Sequence, residues 1–170
     1  MKTPPVVRRS SCFCYLPLFF LANHAAAQER GSDKYICMES HPEKMCNPSN
    51  TCGSASTPCE VDVKRSGGSS ASATPNIPNA KSNKLFCVQT GTTVIWESSS
   101  KNTGFVVDFG PSSPFDPPGG IIGGTDRRVS VTAKRPGCFK YSAGACISGS
   151  IYGMCGSVET ELVVTSAGNR

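Results

Sequence analysis

Histidine is nearly absent from this chain of 170 residues, which holds only His24 and His41. A Ser/His/Asp or Cys/His centre in the body of the protein would depend on His41 alone, and no Gly-x-Ser-x-Gly elbow stands near a strand end to join it. Hydrolytic catalysis is therefore not expected. Cys-x-x-Cys is missing too, although there are 10 cysteines, which argues against a thioredoxin-type redox centre and against a zinc ribbon. No stretch carries a helical stripe of useful length, and none is apolar over the roughly 20 residues that a membrane-spanning helix needs. The glycine-rich run Gly119-Gly120-Ile121-Ile122-Gly123-Gly124 lacks the Gly-Lys-Ser/Thr of a phosphate loop and reads as a mobile turn.

What is present begins with an export signal. Lys2, Arg8 and Arg9 precede an apolar run, Cys12 to Ala22, that leads to Ala25-Ala26-Ala27. Charge, a short apolar run and a small-residue exit in that order predict cleavage after Ala27; the pair Arg8-Arg9 leaves a twin-arginine route open. Cleavage removes three of the 17 basic residues and none of the 12 acidic ones, so the formal charge falls from +5 to +2. A near-neutral mature chain has no electrostatic footprint for nucleic acid, and after cleavage nothing holds it to a membrane. The expected location is secreted or periplasmic.

Eight cysteines remain: Cys37, Cys46, Cys52, Cys59, Cys87, Cys138, Cys146 and Cys155. In an exported chain an even set reads as a disulfide framework, with about a hundred conceivable pairings and no free thiol. Cys146 with Cys155 is the first expectation, because the short loop between them would contribute roughly 2 to 3 kcal/mol. Cys87 with Cys138 is the second, leaving Cys37, Cys46, Cys52 and Cys59 to pair among themselves.

Three segments follow the signal at residues 1–27. Residues 28–58 are polar and Cys-rich, an irregular stapled extension. Residues 59–166 are built of short alternating runs, interrupted at 66–83 by a Gly/Ser/Pro-rich flexible insertion. The runs include Cys59 to Lys64, Leu85 to Val88, Thr93 to Trp96, Phe105 to Phe109, Val129 to Ala133, Phe139 to Tyr141 and Val158 to Val164. Short strands separated by turn residues predict an all-β, antiparallel Greek-key sandwich. Glu159 and Glu161 read as a solvated face of the last strand.

The order Gly91-Thr-Thr-Val-Ile-Trp96, then Phe105-Val-Val-Asp-Phe109, then Gly137-Cys-Phe-Lys-Tyr141 resembles the cupredoxin fold, and Phe105 to Phe115 is similar to small exported bacterial cupredoxin-like domains without copper. The resemblance covers roughly residues 59–165. A type 1 copper site would need two imidazoles, a thiolate and a weak axial thioether. In the nearest match Gly104-Phe105 stands at the first imidazole, Ala143 at the thiolate and Cys146 at the second imidazole; Met154 alone sits where an axial ligand would. The resemblance thus implies a non-catalytic binding or structural module without a cofactor, engaging an extracytoplasmic protein or ligand. The alternative is a copper-binding or electron-transfer protein that uses Met38, His41 and Met45, or Met154. In this fold the 110–124 and 143–156 loops gather at one pole. Phe115, Ile121, Ile122, Ile151 and Tyr152 would mark a partner surface there, unless Phe115 and Tyr152 fold inward over the vacant metal pocket.

Overall fold

The alternation read at residues 59–64 is realised in β1 (Cys59–Ser66), where Cys59, Val61 and Val63 are fully buried and Glu60, Asp62 and Lys64 remain partly in solvent. The computed structural model describes residues 36–168 except 69, 79, 82–84 and 154–159. The expected signal segment, Met154, Cys155 and Glu159 lie outside the described residues.

The chain is all-β, in two curled sheets. The first runs β2 (Ser70–Pro75), β1, β4 (Thr93–Glu97), β8 (Val129–Ala133), β6 (Phe115–Asp116). The second runs β3 (Phe86–Gln89), β11 (Thr160–Thr165), β9 (Gly137–Ile147), β5 (Gly104–Asp108), β7 (Ile121–Gly124), with β10 (Ser150–Tyr152) paired to the end of β9. The expectation of purely antiparallel sheets is corrected at two joints, since β1 lies parallel to β4 and β3 parallel to β11. Parallel neighbours need a crossover. Here the chain leaves the first sheet after β2, adds β3 to the second, and returns as β4.

Two segments expected to be irregular are strands. Residues 70–75, inside the expected flexible insertion, form β2 and pair with β1 from Val61↔Pro75 to Ser66↔Ser70. The expected mobile turn at 119–124 supplies β7, paired with β5. Gly123 is needed there because a Cβ would come within 2.5 Å of the Phe105 ring.

Both sheets contribute to one core, centred on Trp96. Its ring meets Phe109, Phe115 and Tyr141 edge-on, with centroids 6.3, 6.4 and 5.6 Å away. Burial pushes the Tyr141 phenol well above its ordinary pKa of 10.0, with a weaker opposing effect of Thr160. The folded chain therefore holds the phenol neutral, whereas the unfolded chain ionises it from about pH 10 upward. Stability that is intact below pH 10 should fall above it, by up to about 1.4 kcal/mol per pH unit. Tyr141→Phe should flatten this alkaline loss in urea unfolding curves, and an unchanged slope would assign it to other groups.

β11 is buried on both sides, from Thr160 through Val164. Leu162 and Val164 face the core; Glu161 and Val163 face outward, yet Glu161 is only 8% exposed. The expected solvated face is thus corrected for Glu161. The cover is the extension at 36–58, which crosses the outside of the second sheet as a strap. Val163 pairs with Cys87 on one side and Cys138 on the other, so the three side chains form one outward row. Cys46 is bonded to Cys87 and Cys37 to Cys138, which pins the strap on both sides of Val163. The Cys37 N–H donates to Glu161 Oε1 at 2.9 Å. The Thr51 bridge to Cys87 and the Cys52 N–H to Cys87 carbonyl bond also cover the edge of β3, an edge that otherwise invites foreign strands.

The same geometry corrects the pairing. Cys87 and Cys138 lie two strand spacings apart, about 10 Å, beyond the roughly 4.4–6.8 Å between α-carbons that a disulfide spans. Of the four extension-side cysteines only Cys52 and Cys59 pair with each other. The expected bridge of Cys146 to Cys155 falls on a residue outside those described; Cys146 has no disulfide partner among the described residues. Three disulfides place the chain in an oxidising, extracytoplasmic environment. Among the described residues no helix is long and apolar enough to cross a membrane.

Candidate functional site

Side chains of paired residues project to the same side of a sheet, so the register of β7, β5, β9 and β10 sorts the loop and strand-end residues into two faces. Val107 pairs with Ile121 and Ala143, and all three are buried in the core. Val106 pairs with Ile122 and Gly144, while Gly104 pairs with Gly124 and Cys146; these point outward. Ile151 pairs with Cys146 and continues the row onto β10. The result is an outer face of Ile122, Val106 and Ile151 with the Cys146 thiol and three glycines between them.

Ile122 and Ile151 are each 64% exposed. Among the described residues, the other exposed large apolar side chains, Met38 and Met45, belong to the strap. β9 joins the two halves of the outer face. Its outward residue Cys138 holds the strap, and eight residues further along the same face lies Cys146.

The expected pole surface therefore divides. Phe115 and Ile121 are buried, Phe115 against Phe109 at 5.2 Å and Trp96. Tyr152 is half-buried, its ring 4.2 Å beneath the Arg65 guanidinium. Ile122 and Ile151 are exposed, on the outer sheet face rather than at a loop pole. Periodicity could have separated Ile121 from Ile122, had the run been read as a strand.

The donors considered for a metal do not assemble a type 1 site. Gly104 lies opposite Cys146, not Ala143, which faces the core. Beside this thiol stand Gly104, Gly144 and Ile151, with no imidazole among the described neighbours. The described residues thus do not fit a type 1 copper site. On the strap, Met38 and Met45 project into solvent, and His41 Nδ1 lies 3.2 Å from Glu43 Oε1. Cys37, Cys138 and Glu161 bring two sulfurs and a carboxylate within 4.8 Å, but both sulfurs are joined to each other, which removes their thiolate character.

A groove of about 770 Å³ opens between the strap and the second sheet, walled by Pro42, Pro48, Pro136, Glu43 and Gln89. It has a ligand-like size, and Asn47, Thr51, Thr165 and Ser166 add polar groups to its lining.

Comparison with protein-family models, curated proteins and solved structures finds no match to this chain. The function therefore rests on the geometry.

Proposed function

We propose that this protein is an exported, non-catalytic binding module of cupredoxin-like, Greek-key sandwich architecture, and that it engages an extracytoplasmic protein through Ile122, Val106 and Ile151. The fold reading is supported by the two mixed sheets, with β1 parallel to β4 and β3 parallel to β11. The binding reading rests on one observation: Ile122 and Ile151 stay in solvent on a face whose other half is covered by the strap. Large apolar side chains grouped on one exposed face mark interaction sites.

Three serine variants test this. Ile122→Ser and Ile151→Ser remove exposed groups and should leave stability within about 0.5 kcal/mol, while together they lower capture of exported proteins from the native medium. Ile121→Ser, at the neighbouring position of the same strand but buried at 3%, should cost about 2–5 kcal/mol. Undiminished capture by the double variant at an unchanged melting temperature overturns the reading.

The exposed thioethers of Met38 and Met45 with His41 between them support a second reading, soft-ligand copper binding on the strap. Metal analysis after copper loading decides it. One tightly held equivalent, lost in Met38→Leu/Met45→Leu, favours copper handling; no retained metal rejects it.

A further inference from the structure

The strap carries chemistry of its own where it is stapled to the second sheet. We infer that Cys37, Cys138 and Glu161 form a redox-gated metal site: once a dithiol opens the Cys37–Cys138 bridge, two thiolates and one carboxylate hold a thiophilic divalent ion, Zn²⁺ or Cd²⁺. The site shares no residue with the face of Ile122, Val106 and Ile151.

Three elements converge there. Cys138 stands opposite Val163 in the β9–β11 register and Glu161 lies two residues before Val163, so the two project from one sheet face as a diagonal pair. The strap lays Cys37 over them, and its N–H fixes one carboxylate oxygen by donating to Glu161 Oε1 at 2.9 Å. Both sulfurs and a Glu161 oxygen lie within 4.8 Å of one another. Around a tetrahedral ion with Zn–S near 2.3 Å and Zn–O near 2.1 Å, neighbouring donors stand roughly 3.5–3.8 Å apart. The carboxylate is thus about an ångström from ligand spacing, and water completes the fourth position. Two thiolates and a carboxylate around a divalent ion leave one net negative charge. Lys140 stands opposite Glu161 in the register and projects to the same face, where its ammonium offsets that charge.

Access decides which bridge opens first. Cys37 and Cys138 are both half-buried, whereas each of the other two bridges includes a cysteine no more than 1% exposed, Cys87 in one and Cys52 and Cys59 in the other. Exchange begins when a thiolate reaches a sulfur, so a dithiol attacks Cys37–Cys138 ahead of the buried pairs. The first thiolate of the dithiol breaks the S–S bond and forms a mixed disulfide with one cysteine. Its second sulfur then displaces that cysteine, and the dithiol departs as its own disulfide. Two electrons and two protons have passed to Cys37 and Cys138, which are left as thiols. Metal binding releases those two protons to solvent and leaves the charge of the ion unchanged.

The ion then replaces the covalent bond as the first staple of the strap. In the oxidised chain the sulfurs are joined and the site is closed to metal. Reduction alone frees the start of the strap, while reduction with the ion present keeps Cys37 over Glu161 and Val163.

The test uses the full mature chain with its bridges formed, treated with limiting dithiol that is then removed under argon. Alkylation and mass spectrometry should show Cys37 and Cys138 open while Cys46–Cys87 and Cys52–Cys59 persist. Cd²⁺ added to this form should bind at one equivalent and give an ultraviolet sulfur-to-cadmium charge-transfer band, both absent from the oxidised chain. Zn²⁺ should restore slow amide exchange at residues 160–164. Glu161→Gln, which keeps an acceptor for the Cys37 N–H, should weaken Cd²⁺ binding severalfold. Met38→Leu/Met45→Leu should leave it unchanged, which separates this site from thioether binding on the strap. An opened Cys37 and Cys138 pair that takes up no Cd²⁺, or that binds it as tightly in Glu161→Gln, overturns the proposal, and so does opening of Cys46–Cys87 first. The oxidised and reduced wild-type chains decide the matter even where Glu161→Gln fails to fold.

Discussion

Replacing Trp96 with alanine should remove most of the stability of this protein. Trp96 is fully buried and belongs to β4 in the middle of the first sheet. Truncating a buried tryptophan costs about 3–5 kcal/mol through lost transfer energy and the cavity left behind. Edge-on contacts with Phe109, Phe115 and Tyr141 vanish with it, and aromatic pairs contribute about 0.5–1.5 kcal/mol each beyond burial. The site cannot collapse easily, because two of the neighbours are themselves buried rings from the opposite sheet and its connecting loop. Against a total of about 5–15 kcal/mol for a domain, the variant should unfold at a much lower urea concentration, followed by far-UV circular dichroism. Trp96→Phe should recover more than half of the loss. A change below about 1.5 kcal/mol for the alanine variant would mean that the cluster does not organise the core.

Much of this cluster was legible in the sequence. Thr93-Val-Ile-Trp96 and Phe105-Val-Val-Asp-Phe109 alternate with a two-residue period, and β4 and β5 fall on them. Cys59 to Lys64 was equally plain. Alternation reports one-sided burial, and these strands are buried on one side. It failed where a second element covers the other face. Glu161 looked like a solvated carboxylate because nothing nearby in sequence announces that Cys37, 124 residues away, donates its N–H to it. Composition misled in a different way: Ser70–Pro75 holds a single β-branched residue and Ile121–Gly124 is half glycine, and pairing with β1 and β5 overrides their weak local preference.

The candidate face shows the same division between local and non-local information. That residues 121–122 and 151 would matter could be read from apolar groups among glycines and serines. Which of Ile121 and Ile122 points outward depends on the register against Val107 and Val106. That Cys146 lies on the row of Ile151 depends on β10 folding back along β9. Cysteine pairing is the extreme case, because it is set by which strands are neighbours. Val163 separates Cys87 from Cys138, and only knowledge that β11 lies between β3 and β9 rules that pair out.

The Cys37→Ser/Cys138→Ser variant should lose more stability than removal of the Cys52–Cys59 bridge, and the loss should begin at the strap. The bond joins residues separated by 101 positions, whereas Cys52–Cys59 spans 7. In the chain-entropy account a ring of about 100 residues is worth about 4.7 kcal/mol and one of about 8 residues near 2.5. Cys46–Cys87 shortens the larger ring, since the path can pass through it to about 60 residues, but the logarithm is forgiving and about 4 kcal/mol remains. A local effect adds to this. Without its staple, the start of the strap can leave Glu161, whose carboxylate then loses the Cys37 N–H, and water reaches the outer side of β11 beside Val163. Urea midpoints of the two double-serine variants measure the global loss, and amide exchange measures the local one. Exchange should accelerate first at residues 160–164, ahead of β1 and β4. A loss equal to or smaller than that of Cys52→Ser/Cys59→Ser, with β11 still protected, would show that the strap holds to the sheet without its first staple.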